Sequence, residues 1–475
     1  MFSNIVEMIT LINGKLHDFI WGPYMLAAFL AVGLMFTIRT KVFQVSRFRH
    51  WIDITLIQVF VNRKVRRTNE EHSISQFQSL CTALAATIGT GNIAGVATAI
   101  ASGGPGAIFW MWISAFLGMM TNYAENVLGI KYRYRNERGD WIGGAMIYIE
   151  RGLGWKWLAV IFSVFCGLAS FGIGNMTQVN SIANGLWHSF RIDPTITAIL
   201  LMLFVSLVIL GGIKRIAGVA EKIVPFMAIF YTLGGLVVIL ANAAQIPAAF
   251  GMIFREAFHF EAMGGGILGY GMTLAMKTGI SRGVFSNEAG LGSSVMVHSA
   301  SDVKEPVIQG MWGMFEVFAD TIVICTITAL VILTSGVYNM NTYLINMEAG
   351  IENVSGTALT SAAFSSVIPF GGEFVAVAVI LFAFATVLGW SYYGERAVEY
   401  LFGVKAILPY KLIFICIIYF GCNMSLDLVW DISDTLNGFM ALPNLIAITL
   451  LSNQVIQATK KYITKITASS SAPER

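Results

Sequence analysis

Eleven apolar runs of about 20 residues constrain this chain most, because a helix of that length matches the hydrocarbon thickness of a bilayer. They fall at approximately 21–38, 78–102, 105–130, 157–187, 195–212, 221–242, 265–282, 310–334, 371–394, 409–425 and 436–452. Composition agrees, since 56% of the 475 residues are hydrophobic and only 12% charged, too few polar side chains to cover a soluble globule. The predicted fold class is an all-α polytopic membrane protein with eleven transmembrane helices. The first ~20 residues read as an interfacial amphipathic segment, and no basic stretch with a short apolar core and cleavage site marks a signal peptide. Cys81, Cys166, Cys325, Cys416 and Cys422 lie scattered without CxxC spacing and read as small core residues.

Lys and Arg test this division, because cytoplasmic loops collect them. With the N-terminus outside, the inner segments hold 27 of the 30, among them Arg39 to Arg67, Lys131 to Lys156, and the group Lys277, Arg282 and Lys304. Only Lys15, Arg191 and Arg255 fall outside. A missed span would reverse every later loop, so the sorting supports the count, an external N-terminus, a cytoplasmic C-terminus and a bacterial-type inner membrane. The net charge of +3 gives no reason to expect a nucleic-acid partner.

Two spans are costly for the same reason. Span two contains AATIGTGNIAG (85–95) and span seven reads GGGILGYGMTLAMKTG from Gly264. Glycine costs a helix about 1 kcal/mol relative to alanine, and freed backbone groups survive in a membrane only where protein or a cavity covers them. Close packing through small residues explains one such span. Two of them, opening successive sets of five spans with opposite topology, point instead to inverted repeats with a midplane site between broken helices. The domains expected are an N-terminal segment with the first helix and a basic loop (1–77), a first repeat of helices two to six (78–264), a second of helices seven to eleven (265–452) and a cytoplasmic tail (453–475).

The strings TALAATIGTGNIAGVATAIASGGPGAIFWMW, RGVFSNEAGLGS, VLGWSYYGE and DTLNGFMALPNL, in this order, resemble the alanine or glycine:cation symporter family over nearly the whole chain. The resemblance implies a LeuT-like five-plus-five inverted repeat preceded by one extra helix, with helices two and seven broken, and sodium-coupled uptake of small neutral amino acids such as alanine and glycine. Gly143, Gly144, Ala145 and Met146 stand where the family usually shows Gly-Gly-Pro-Met, a departure expected to affect a loop more than the site.

A zwitterionic substrate needs partners for both charges in a low-dielectric site. The start of an outer half-helix in span two offers N–H groups of Thr90, Gly91 and Asn92 to a carboxylate. The Asn92 side chain then either binds substrate or caps the half-helix. Thr87, Gln178, Thr273 and Trp390 complete the expected substrate-binding set, with Phe171 a weaker wall candidate. For Gln178 an interhelical hydrogen bond, and for Trp390 bundle packing, are the plainer alternatives. Sodium prefers oxygen ligands, and the ion site implied by the resemblance joins carbonyls of Ala85, Ile88 and Ala383 to the Thr386 hydroxyl. That hydroxyl could equally bond its own helix.

Intramembrane acids are functional suspects by default. Glu125 is expected to pair with the basic cluster KYRYRNER. Glu316 and the deeper Asp320 share a face of span eight, where Asp320 is either a proton or cation site or a hydrogen-bonded structural acid. Lys277 and Arg282 are placed in the inner half of span seven, with Glu288 available to Arg282 on a polar cytoplasmic segment. His17, His50, His72, His188, His259 and His298 are dispersed, no catalytic or transition-metal constellation stands out, and no enzyme is expected. Internal inversion argues against a channel, so a proton-coupled symporter relying on Asp320 is the nearest alternative. The expected partners are sodium, a small neutral amino acid and membrane lipid, with a monomer as the working assembly.

Overall fold

The computed structural model describes residues 2–258, 268–349, 351, 353–424 and 427–470, and these are almost entirely helical. Among the described residues, six helices are long and apolar enough to cross a membrane: Glu7–Arg39, Lys156–Phe190, Gly212–Ala241, Pro306–Thr334, Gly371–Phe402 and Val404–Asn423. Two bent pairs, Gln76–Thr87 with Gly91–Gly103 and Leu428–Leu450 with Ser452–Ala468, bring the count to eight. The other three expected spans coincide with Gly106–Tyr132, Pro194–Ile209 and Leu268–Asn287. Length and apolarity alone therefore carry eight spans, three fewer than the sequence suggests. Gly106–Tyr132 shows one reason: it keeps Asn122, Glu125 and Asn126 fully buried against other helices.

Span two breaks where the glycines are. A capping box at Ser75 and Gln78 starts Gln76–Thr87, the backbone leaves the helix at Ile88, and a wide turn at Gly91–Gly95 leads into Val96–Gly103. The two halves are bent by 53°. The break is narrow because its neighbours press on it. A Cβ added at Gly89 would stand 2.6 Å from Thr386 Oγ1, and one at Gly389 would stand 2.9 Å from the Ala86 backbone nitrogen.

An interruption follows span seven, beyond the glycine cluster at which a break is expected. Gly264 to Ile267 fall outside the described residues, but from Leu268 the helix runs on through Gly269 and Gly271 to Asn287. The backbone turns out of the helix at Glu288, at φ +56°, and returns to helix only at Val295–His298. Gly290 (φ +95°) and Gly292 (φ +73°) make that passage, and the neighbouring ring of Phe29 and side chain of Asn444 close over it. The segment first read as a cytoplasmic loop is thus buried, with Glu288 only 4% exposed.

This shifts two charges. Gly103, at the end of the second half-helix, packs against Ala275 and Thr278, so Lys277 and Arg282 lie toward that end of the molecule, opposite the start at Gln76. They belong to the outer group under the orientation proposed from the sequence. Lys277 pairs with Asp18 at 3.7 Å and Arg282 with Asp434 at 3.8 Å, so Arg282 does not take Glu288 as its partner. The N-terminal helix Phe2–Ile20 supplies that Asp18 and packs on Asp427–Leu450, where His17 Nε2 lies 3.4 Å from Asp434 and Trp21 Nε1 donates to the Asp434 carbonyl at 3.3 Å.

Candidate functional site

A small cavity of about 20 Å³ opens at the break of span two. Thr87, Gly89, Thr90 and Gly91 come from the break, Ile173 and Gln178 from span four, Phe285, Ser286 and Glu288 from the second broken helix, and Thr386, Trp390 and Asn437 from later helices. Five of the residues expected around a substrate are therefore brought together: Thr87, Thr90, Gly91, Gln178 and Trp390. The volume holds about one water molecule, so admitting a larger ligand requires the walls to move apart.

The polar contacts define what the cavity can do. Gln178 lies just after the wide turn Gly172–Met176, in the helix Thr177–Phe190, donating from Nε2 to the Ile173 carbonyl at 3.0 Å and accepting from Thr90 Oγ1 at 3.3 Å. Trp390 fits because Gly174 lacks a side chain, since a Cβ there would meet the Trp390 Cβ at 2.4 Å. Its Nε1 donates to Glu288 Oε1 at 2.9 Å, while Ser293 Oγ donates to Glu288 Oε2 at 2.5 Å. Asn437 is 1% exposed, and among the described residues its Oδ1 has no hydrogen-bond partner. Thr90 and Gly91 stand at the start of a half-helix, where N–H groups lack acceptors within the helix.

Asn92 lies beside this cavity without lining it. Its Oδ1 accepts from the Gly89 N–H at 2.9 Å and its Nδ2 donates to Asp320 Oδ1 at 2.7 Å, so the side chain ties the break of span two to Asp320. Asp320 also accepts from Ser286 Oγ at 2.8 Å and Thr321 Oγ1 at 2.7 Å. It sits in the wide helical turn Phe318–Cys325, which faces the wide turn at Gly91–Gly95. The Asn92 carbonyl also accepts from Thr328 Oγ1 at 2.8 Å, in the helix Thr326–Thr334 that follows the second wide turn.

Thr273 is exposed and lies outside the group, and Phe171 stacks instead on Tyr410 and Phe414, at centroid distances of 5.2 and 6.1 Å. For the ion set, Ala85, Ile88 and Ala383 are buried near the Gly89–Thr386 crossing, with Thr386 Oγ1 donating to its own Phe382 carbonyl at 3.0 Å. Glu125 does not meet the basic cluster at 131–138. Its carboxylate turns into the bundle and accepts from Asn444 Nδ2 at 2.5 Å. Glu316, four residues from Asp320, instead holds His298 Nε2 at 2.9 Å and Asn122 Nδ2 at 3.1 Å.

Sequence reasoning missed Glu288 and Asn437 as cavity residues. Asn437 stands in DTLNGFMALPNL, and both are polar residues in segments already singled out. Nothing in their spacing aims them at span two.

Comparison with known proteins follows the same lines. The sequence profile of the Sodium:alanine symporter family matches residues 6–474. A Sodium/alanine symporter, AgcS, from Methanococcus maripaludis is 46% identical over 461 residues, covering 96% of this chain and 98% of that protein. The Putative sodium/proton-dependent alanine carrier protein YrbD of Bacillus subtilis is 38% identical, over 94% of this chain and 91% of that protein. Among solved structures, MhsT in complex with L-phenylalanine shares the fold at 14% identity, with a TM-score of 0.54 over 82% of this chain and 93% of MhsT. The protein is a multi-pass membrane transporter working by secondary active symport, not an enzyme, and it belongs to the sodium:alanine symporter family.

Proposed function

We propose that this protein carries a small neutral amino acid, alanine or glycine, into the cell together with sodium, by exposing the cavity at the break of span two to each side of the membrane in turn. One observation carries the reading. A single cavity offers the carboxyl of Glu288 and the Oδ1 of Asn437, which has no hydrogen-bond partner among the described residues, as acceptors, and the half-helix start at Thr90 and Gly91 as donors. An amino acid needs acceptors for its ammonium and donors for its carboxylate, and a buried site that supplies only one set leaves a charge unpaired. Gln178 can serve either charge, while Trp390, Phe285 and Ile173 wall off space for a long side chain.

Sodium would use carbonyls of Ala85, Ile88 and Ala383 with the Thr386 hydroxyl, hard oxygen donors at the end of the first half-helix. The AgcS relative, named a sodium/alanine symporter, supports this ion. Proton coupling is the second reading, favoured by Glu288 and Asp320, which are buried with only neutral hydrogen-bond partners. The sodium/proton wording of the YrbD relative's name is consistent with either ion.

The repeats would span 78–264 and 265–452, with the N-terminus outside and the C-terminus cytoplasmic. The likeness of the two interrupted helices, at Ile88 and at Glu288, supports that division. The test is labelled alanine or glycine uptake into vesicles holding the purified protein under an imposed sodium or proton gradient. Accumulation driven by sodium supports the reading. Accumulation driven by protons and indifferent to sodium overturns the ion, and no accumulation under either gradient overturns the transport assignment itself.

A further inference from the structure

Far from the substrate cavity, at the end of the molecule where Gln76–Thr87 begins, a cavity of about 1170 Å³ collects cationic side chains from two separate stretches of chain. Arg63, Lys64, Arg66 and Arg67 come from the segment before span two, and Lys214 and Lys222 from the first turns of Gly212–Ala241. Among the described residues none of these six forms an ion pair within 4 Å. Two acids line the same hollow. Glu70 is engaged by Arg135 at 3.3 Å and by Ser73 at 2.8 Å, which leaves Glu221 as the one carboxylate without a cation.

Six like charges around one concavity repel each other and raise the local potential, and the simplest relief is a bound anion. The surface next to them narrows its chemistry. The helical segment leading into Arg63 exposes Leu56 (42%), Ile57 (47%), Phe60 (75%) and Val61 (74%), an apolar stretch continuous in sequence with the cations. An apolar face running into a basic cluster suits a molecule with a phosphate and acyl chains, since each part then meets its own kind of surface. A free phosphate would use the cations alone and leave the apolar stretch idle.

We propose that this hollow is a binding site for the phosphate headgroup of an anionic phospholipid, whose acyl chains lie along Leu56, Ile57, Phe60 and Val61. Phe77 and Gln78 line the same hollow at the start of the first half-helix of span two, so a bound headgroup ties the linker 63–67 to Gln76–Thr87 and to Gly212–Ala241. The inference is independent of which amino acid or ion is transported.

The test is native mass spectrometry of the detergent-purified full chain with phosphatidylglycerol or phosphatidylcholine of identical acyl chains. The expected result is retention of phosphatidylglycerol over phosphatidylcholine, falling about ten-fold or more in the triple variant R63Q/R66Q/K214Q. A control, K156Q/K405Q/K461Q, removes three exposed cations elsewhere and is expected to keep the preference. If the triple variant fails to fold, R66Q and K222Q singly give the same comparison with smaller steps. Equal retention of both lipids by the wild type, or an equal loss in the control variant, overturns the site. Inorganic phosphate that displaces the lipid at millimolar concentration, binding the wild type and not the triple variant, overturns the lipid assignment in favour of a soluble phosphate ligand.

Discussion

The indole nitrogen of Trp390 donates to Glu288 Oε1 at 2.9 Å, joining the wall of the cavity to the one acidic side chain that lines it. The pair links the long Gly371–Phe402 helix to the point where the second broken helix leaves its axis. Anything that moves Glu288 therefore moves Trp390.

That coupling separates charge from shape. Glu288→Gln keeps an acceptor for the indole and removes the charge offered to a substrate ammonium, while Glu288→Ala removes both. A charge-assisted hydrogen bond exceeds a neutral one by about 1–1.5 kcal/mol, so alanine affinity should fall about ten-fold in the glutamine variant, with the unfolding temperature close to wild type. The alanine variant should lose binding and stability together. Isothermal titration and intrinsic-fluorescence melting of both proteins check this, and unchanged affinity in the glutamine variant would remove Glu288 from the ammonium site.

Gly89 and Gly91 are two residues apart and should respond differently to the same methyl group. At Gly89 the added Cβ meets Thr386 Oγ1 at 2.6 Å, whereas at Gly91 it meets the Phe285 ring at 3.4 Å, an ordinary contact. Gly89→Ala is expected to push apart the two helices that form the proposed sodium site and to abolish sodium-driven uptake. Gly91→Ala should retain a measurable fraction, with weaker substrate affinity. Equal loss in both variants would show that the crossing at Thr386 is not what limits the break.

The break of span two was legible because glycine and asparagine in an apolar run are expensive wherever they fall. The departure from the helix at Glu288 is not legible, for a related reason. GGGILGYG carries the glycine signal, yet the helix runs through Gly269 and Gly271, while FSNEAGLGS carries a polar signal that resembles a loop. Its burial depends on contacts from distant segments, with Phe29 over Gly290, Asn444 over Gly292 and Trp390 on Glu288, none of which spacing reveals. Lys277 and Arg282 were sorted with the inner charges because the span was drawn too short at that end. Gln178 and Trp390 were readable as large polar or aromatic residues in apolar helices. Asn437 was not, because a lone asparagine in a helix says nothing of which way it points.

The Asn92 side chain bridges the break of span two and Asp320, which makes its own prediction. Its amide links the Gly89 N–H to the buried Asp320 carboxylate. Asn92→Ala leaves both groups without that partner, at a cost of about 1–3 kcal/mol for each buried group left unsatisfied. Asn92→Asp sets a second carboxylate beside Asp320, where two buried charges of one sign cannot both stay ionised. The unfolding temperature should fall in the alanine variant and further in the aspartate variant at neutral pH. The aspartate variant should recover part of the difference as pH falls and one carboxylate takes a proton. An aspartate variant as stable as the alanine one across that range would mean Asp320 is already neutral.

The last prediction concerns the path to the cavity from the side where the second half-helix ends. A hollow of about 180 Å³ lies there, lined by His17, Trp21, Ser281, Arg282, Phe285 and Asp434 among others, and Phe285 also lines the cavity at the break of span two. Asp434 holds Arg282 at 3.8 Å and His17 at 3.4 Å, and the Arg282 guanidinium lies 5.6 Å from the Phe285 ring centroid. The contacts join three helices across one opening, so the carboxylate of Asp434 is the point at which closure is most easily weakened. Arg282 is about one-third exposed, which makes the pair worth roughly 1 kcal/mol or less. Asp434→Asn should therefore raise access only about three- to five-fold. A cysteine at Ser281, in a background where the exposed Cys416 is replaced by serine, reports this through its labelling rate with a charged thiol reagent. Labelling should quicken in the asparagine variant and slow again when sodium and alanine are added, because a bound substrate draws Phe285 and its helix inward. If the asparagine variant labels at the wild-type rate, Asp434 does not hold this side closed.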